Sequence, residues 1–289
     1  MIPGPFTYHR PSSVRDAVAL LATLGDDARP LAGGHSLIPM MKLRIAAPEH
    51  LVDLAGIAEL RDIAEDRGTV VIGAAVTLAA LVGSDVIAAK LPVVVETALL
   101  IADPQVRYRG TIGGNAANGD PGNDMPALMQ ALNAVYALAG PSGERRVAAR
   151  DFYRGSYDTA LAAGEIVAAI RVPLPPAGSG AAYEKLKRKI GDYATAAAAV
   201  TVTMTGGRVA DCAVALTNVG DRPLFVEAAG RAAVGTALDD ATVRTVAAAA
   251  IAVTSPVTDG RGPAEYRREM AGIMVTRALR KAAARATGA

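Results

Sequence analysis

Residues 28–43 read ARPLAGGHSLIPMMKL, and residues 111–124 read TIGGNAANGDPGND. In the first stretch Ala28–Leu31 reads as a short buried strand, and Ala32-Gly33-Gly34-His35-Ser36 follows it directly. Leu37–Leu43 then has a pattern compatible with a short helix. In the second stretch Thr111-Ile112-Gly113-Gly114-Asn115 leads to a polar loop over residues 118–124. Paired glycines allow positive φ and let a ligand approach the backbone with no Cβ in the way. Successive N–H groups can then converge on an anion. Ser36, Thr111 and Asn115 add side-chain donors, and loop 118–124 suits a ribityl or ribose chain, with Asp124 accepting from sugar hydroxyls. Taken singly, each Gly-Gly also reads as an ordinary tight turn. Neither a P-loop nor a GxGxxG pattern is present, so a dinucleotide would be bound through another fold.

Around these loops, short strands alternate with helices up to about residue 175. Ser12 and Ser13 can cap a helix over Val14–Leu24, with Gly25 at its end. His50–Leu54 and Thr69–Gly73 read as strands, and Thr77 caps a helix over Leu78–Val82. Helices are expected over Val93–Ala102 and Met125–Asn133, and strands over Ala134–Leu138 and Glu165–Val172. Pro173–Gly180 (PLPPAGSG) reads as a linker. Beyond it, strands are expected over Ala181–Lys187 and Ala197–Thr205, with Gly206-Gly207 turning the chain into Val209–Asn218. Helices over Pro223–Val234, Asp240–Val253 and Gly262–Arg285 follow. In the last, Tyr266, Met270, Ile273, Met274 and Ala278 form an apolar stripe. The flanking Arg267, Arg268, Arg277, Arg280 and Lys281 read as a solvated face or a partner surface.

The chain's 289 residues allow roughly two domains. With no Trp and three Phe, the core must be aliphatic. Thirty basic against 28 acidic residues give no concentrated positive field, so no nucleic-acid partner is expected. The single cysteine, Cys212, reads as a buried strand residue; it excludes an internal disulfide and an iron–sulfur cluster on the chain's own thiolates. His9, His35 and His50 show no metal-ligand spacing. No stretch resembles a signal peptide or a membrane span, which points to the cytoplasm.

The loops AGGHS and TIGGN, about eighty residues apart, resemble the FAD-binding domain of the xanthine dehydrogenase family. The resemblance runs the length of the chain through IPGPFTYHRP, IADPQVRYRGTIGGNAANGDPGNDMPALM, YEKLKRKIGDYATAAAA and GRGPAEYR. These longer stretches are most similar to the flavoprotein subunits of the family's aerobic molybdenum carbon monoxide dehydrogenase branch.

The resemblance implies an α+β fold of the vanillyl-alcohol-oxidase type. An FAD-binding domain over residues 1–175 holds two small α/β subdomains, about 1–54 and 55–175, with non-covalent FAD between them. A C-terminal domain over 178–289 is a small antiparallel sheet with helices. By similarity, Ala32, Gly33, Gly34, His35 and Ser36, with Thr111, Ile112, Gly113, Gly114 and Asn115, hold the pyrophosphate. Asp124 contacts the FAD sugar chain and Lys185 lies near the isoalloxazine. Ile101 sits beside the ring where xanthine dehydrogenases carry an aromatic residue, Tyr193 covers the ring, and Leu161 is an apolar ring contact. On their own, Ile101 and Leu161 read as core, Lys185 as part of a solvated basic run with Lys187, Arg188 and Lys189, and Tyr193 as a packing residue. No catalytic acid, base or metal ligand is expected. The implied partners are a large molybdopterin subunit and a small [2Fe-2S] subunit, in a dimer of heterotrimers, with an acceptor such as a quinone and association with the inner face of the membrane through the complex. The alternatives are the FAD subunit of a related hydroxylase acting on an N-heterocycle, a stand-alone flavin oxidoreductase, and a non-catalytic anion-binding module.

Overall fold

The computed structural model describes residues 2–288. The chain begins with β1 (Thr7–His9), α1 (Val14–Leu24), β2 (Ala28–Leu31), α2 (Leu37–Lys42) and β3 (His50–Asp53). The strands form a parallel sheet in the order β1-β3-β2. The Ser13 hydroxyl caps α1 by accepting from the Asp16 N–H, and Ala17, Val18 and Leu21 bury one face of the helix with Val52 and Leu54.

The next unit runs through β4 (Ile63–Asp66), β5 (Thr69–Gly73), α3 (Leu78–Val82), α4 (Asp85–Lys90), α5 (Pro92–Leu100), α6 (Pro104–Arg109), α7 (Ile112–Ala117) and α8 (Asp124–Ala131). It continues with β6 (Val135–Gly140), β7 (Gly143–Ala148), α9 (Ala149–Phe152), β8 (Tyr153–Gly155), β9 (Asp158–Thr159) and β10 (Ile166–Pro173). Its main sheet is antiparallel, in the order β4-β5-β10-β6-β7.

The C-terminal unit has β11 (Ser179–Leu186), β12 (Ala196–Thr205), β13 (Arg208–Thr217) and β14 (Leu224–Phe225) in an antiparallel sheet, then α10 (Glu227–Ala233), α11 (Asp240–Ala252) and α12 (Ala264–Thr287). Gly206 and Gly207 turn β12 into β13 with φ of 57° and 76°, the double left-handed geometry that matches strand twist in a two-residue hairpin. Both faces of this sheet are buried. Tyr183, Ala197, Ala199 and Ala215 join the core that contains Leu128 of α8. Ala182, Ala196, Ala198 and Val200 face the core that contains Met274 and Ala278 of α12. The alanine-rich strand allows this double burial at short range: a Cβ on Gly180 would lie 2.0 Å from the Ala282 carbonyl oxygen of α12.

Several sequence expectations give way here. Pro223–Val234 is not one helix, because Leu224 and Phe225 pair with Leu216 and Ala215 before α10 begins. The expected linker loses its last two residues to β11, where Ser179 pairs with Thr203. The stripe of α12 is rotated: Tyr266 and Ile273 are exposed, while Ala271, Val275, Leu279 and Ala282 are buried beside Met274 and Ala278. Arg267, read as solvated or partner-facing, is 2% exposed. Its guanidinium donates to the carbonyls of Thr195, Val257 and Asn218 and to the Asp259 carboxylate, so burial leaves its donors partnered. Cys212 lies buried in β13, as expected, and burial pushes its thiol up to about 12.

Candidate functional site

A cavity of about 530 Å³ is walled by all three sheet units. The first wall begins where β2 ends. Gly34 is left-handed, with φ 77°, and its carbonyl accepts the Ile38 N–H to start α2. Among the described residues, none accepts a hydrogen bond from the N–H of Gly34, His35 or Ser36. These amides, with the Ser36 hydroxyl, form the cavity's anion-seeking edge.

The second glycine segment works differently from the expectation. Thr111 is the N-cap of α7, and Gly113 and Gly114 are helical residues without positive φ. Their amides are already engaged: Ile112 N–H donates to the Val76 carbonyl, Gly113 to Ala74, and Gly114 to the Thr111 hydroxyl at 3.0 Å. The missing Cβ atoms serve close packing. A Cβ on Gly113 would lie 2.6 Å from the Ala74 carbonyl oxygen, and one on Gly33 would lie 2.1 Å from that of Arg109. Gly33 thereby packs against the end of α6, just before Thr111, and Gly113 against the residue that follows β5. Thr111, Gly113, Gly114 and Asn115 border the cavity; Ile112 does not, and is a fully buried core residue. Thr111→Val is expected to cost about 1 kcal/mol through the lost cap, read as a lower thermal midpoint; an unchanged midpoint would show that α7 is held by its docking alone.

The remaining expected residues do converge. Ile101 and Leu161 are apolar parts of the wall, and Tyr193 stands at the rim, 41% exposed, with the Arg261 guanidinium 5.5 Å from its ring centroid. Asp124 opens α8 and is 4% exposed. Its carboxylate accepts from the Tyr183 hydroxyl at 2.6 Å and from Lys185 Nζ at 2.8 Å. Burial raises the Asp124 carboxyl above its ordinary range, while the Lys185 ammonium and the hydrogen bonds from Lys185 and Tyr183 oppose that rise. Lys185 is not part of a solvated run, since its side chain is 1% exposed. Tyr183 was not singled out from the sequence, although strand alternation puts it on the same face of β11 as Lys185. Tyr157, also unanticipated, lines the cavity and donates to Asp120 at 3.2 Å.

The arrangement suits a flavin dinucleotide. Free amides at 34–36 match an anionic pyrophosphate. Among the described residues the buried Asn115 Oδ1 on the cavity wall has no hydrogen-bond partner, which suits a hydroxyl or amino donor on a ligand. Ile101, Leu161 and Leu78 supply an apolar wall of the kind that packs against a planar ring.

A profile described as the FAD binding domain in molybdopterin dehydrogenase matches residues 4–175. Another, described as the CO dehydrogenase flavoprotein C-terminal domain, matches residues 181–282. The carbon monoxide dehydrogenase medium chain of Afipia carboxidovorans is 64% identical over 286 residues, 99% of each chain. The corresponding medium chain of Hydrogenophaga pseudoflava is 52% identical over 285 residues, again 99% of each. A chain of the reconstituted CO dehydrogenase from Oligotropha carboxidovorans superposes with a TM-score of 0.97 at 64% identity, covering 99% of this chain and 100% of that one. The conjunction of a glycine-lined cavity, an α+β fold shared from end to end and two adjoining profile matches has one reading: this chain belongs to the carbon monoxide dehydrogenase medium-chain family, the FAD-binding oxidoreductase subunits within the xanthine dehydrogenase family.

Proposed function

We propose that the chain is the electron-exit subunit of a molybdenum-containing carbon monoxide dehydrogenase. The whole-length likeness to medium chains of carbon monoxide dehydrogenases carries this reading. Carbon monoxide is oxidised on a large molybdopterin subunit, and a small [2Fe-2S] subunit delivers the electrons here for release to an acceptor such as a quinone. The complex is a dimer of heterotrimers on the cytoplasmic side of the membrane. No described helix is long and apolar enough to cross a membrane. One cysteine cannot supply a cluster's usual four thiolates, which supports the reading that any iron–sulfur centres sit on another chain.

Within this chain the residues bind and orient. The amides of Gly34, His35 and Ser36 would hold the pyrophosphate, and Asn115 would accept from the ligand. Ile101, Leu161 and Tyr193 would offer apolar contact to the ring. Asp124 acts through Lys185 and Tyr183, holding the ammonium in place. FAD, when bound, supplies a couple that takes electrons singly and releases them in pairs, and the protein tunes it. The functional division is an FAD-binding domain over 1–175, with subdomains meeting near residue 54, and a C-terminal domain over 178–289 whose β11 brings Lys185 to the cavity.

Removal of FAD from the assembled complex tests this role. The stripped complex should still reduce its molybdenum and iron–sulfur centres with CO, while acceptor reduction falls at least about tenfold, roughly 1.4 kcal/mol or more in activation terms. Full-rate acceptor reduction without flavin would overturn the electron-exit role.

A further inference from the structure

Three cations converge on the carbonyls at the end of α5 and just beyond it. Lys185 Nζ and Lys187 Nζ each donate to the Leu100 carbonyl at 3.4 Å. Arg107 donates to the carbonyls of Ile101 and Ala102 at 2.9 and 3.3 Å. Among the described residues Asp124 is the one carboxylate paired with this group, and it is taken by Lys185. Asp103, close by in sequence, caps α6 through the Val106 N–H and forms no ion pair among the described residues. The wall therefore carries more positive charge than its paired carboxylate neutralises, and the partial negative charge of a helix C-terminus, about half a unit, does not cancel the excess.

Ile101, Ala102 and Lys185 border the cavity, whereas Lys187 and Arg107 stand behind them, half-buried. Burial and the neighbouring Lys185 hold the Lys187 ammonium below its ordinary range, with Asp124 opposing and Arg107 adding to the effect. Charges in such a setting are screened less than those on open surface.

We propose that Lys187 and Arg107 are positioning residues that act through the Leu100–Ala102 wall and Lys185 to favour the more anionic state of the cavity's ligand. The inference rests on the FAD reading. Uptake of two electrons and one proton by the neutral ring adds one net negative charge, so these cations should bind the reduced cofactor more tightly than the oxidised one. A tenfold difference between those two affinities equals a midpoint shift of about 30 mV for a two-electron couple.

The test is spectroelectrochemical titration of the assembled complex carrying Lys187→Met or Arg107→Met, with flavin content measured by acid release. Flavin content should stay at the wild-type level, and each variant should shift the midpoint negatively by about 30 mV, the loss of roughly tenfold preference for the reduced form. Lys187→Arg should keep the wild-type midpoint. Full flavin content with unchanged midpoints in both Met variants would overturn the proposal. So would loss of oxidised flavin from both folded variants, which would mean that these cations hold the two redox states alike. Absence of flavin from the wild-type complex would instead overturn the FAD reading beneath it.

Discussion

Asp124→Ala is expected to destabilise the chain by about 3–5 kcal/mol, the range for breaking a buried ion pair from one side. The side chains of Lys185 and Asp124 are 1% and 5% exposed, so the orphaned ammonium cannot turn to water without moving β11 away from α8. Tyr183 also loses its 2.6 Å acceptor and keeps only the Thr217 hydroxyl at 3.1 Å. The remaining acceptor of Lys185, the Leu100 carbonyl at 3.4 Å, is shared with Lys187. The damage should be specific to the unpaired charge: adding Lys185→Met to Asp124→Ala should recover a large part of the stability, because replacing both partners removes the penalty of the one left behind. Urea unfolding of both variants reads the difference. A loss under about 1 kcal/mol for Asp124→Ala, the range of exposed pairs, would mean that the network is open to solvent and that its geometry does not define the cavity floor.

Elements whose signals lie within a few residues were legible in the sequence. The Ser13 cap fixes the start of α1, the strands Ala28–Leu31 and Thr69–Gly73 fall where expected, and Gly206-Gly207 makes the hairpin. Features set by distant pairing were not. Leu224 and Phe225 become a strand only because β13 offers an edge, and β1 forms only through its parallel pairing with β3, some forty residues later. That pairing also brings His9 and His50, which have no ligand spacing in the sequence, within 3.2 Å of each other. The face of α12 was misjudged because its buried side includes Ala271, Gly272 and Ala282, small residues that count weakly in a hydrophobic pattern yet allow close packing. Arg267 and Lys185 looked solvated because the groups that satisfy them lie far off in sequence, at Asn218 and Asp124. The glycine loops were visible as motifs, but not the difference between them: the amides of Gly34–Ser36 find no acceptor among the described residues, whereas those of Ile112, Gly113 and Gly114 are engaged. Gly-Gly after Thr111 reads as a turn; the threonine cap and docking against Ala74 make it a helix instead.

Gly33→Ala should be more damaging than the same change at Gly34 or Gly114. Its Cβ would sit 2.1 Å from the Arg109 carbonyl oxygen and 2.7 Å from that residue's carbonyl carbon, so backbone would have to retreat. No side chain can swing aside to relieve such a clash. Overpacking of this kind costs about 1–3 kcal/mol. The retreat would also separate the loop over 32–36 from α6 and the start of α7, moving the free amides off their line into the cavity. We therefore expect at least a tenfold loss of FAD retention in the complex, about 1.4 kcal/mol or more, together with a lower thermal midpoint. Gly34→Ala meets side-chain ends, Ile38 at 2.8 Å and Leu31 at 3.4 Å, and carries the left-handed penalty of about 1 kcal/mol. Gly114→Ala meets the Thr111 hydroxyl at 2.9 Å and the Ala32 side chain at 3.8 Å. Both should retain more flavin than Gly33→Ala. The ordering separates two explanations of the motif. If glycine is needed chiefly where phosphate approaches, Gly34→Ala should lose the most flavin, since its own amide is one of the free donors. If it is needed where two chain segments approach, Gly33→Ala should lose more flavin and more stability together, and wild-type flavin content with an unchanged thermal midpoint in that variant would rule the packing explanation out.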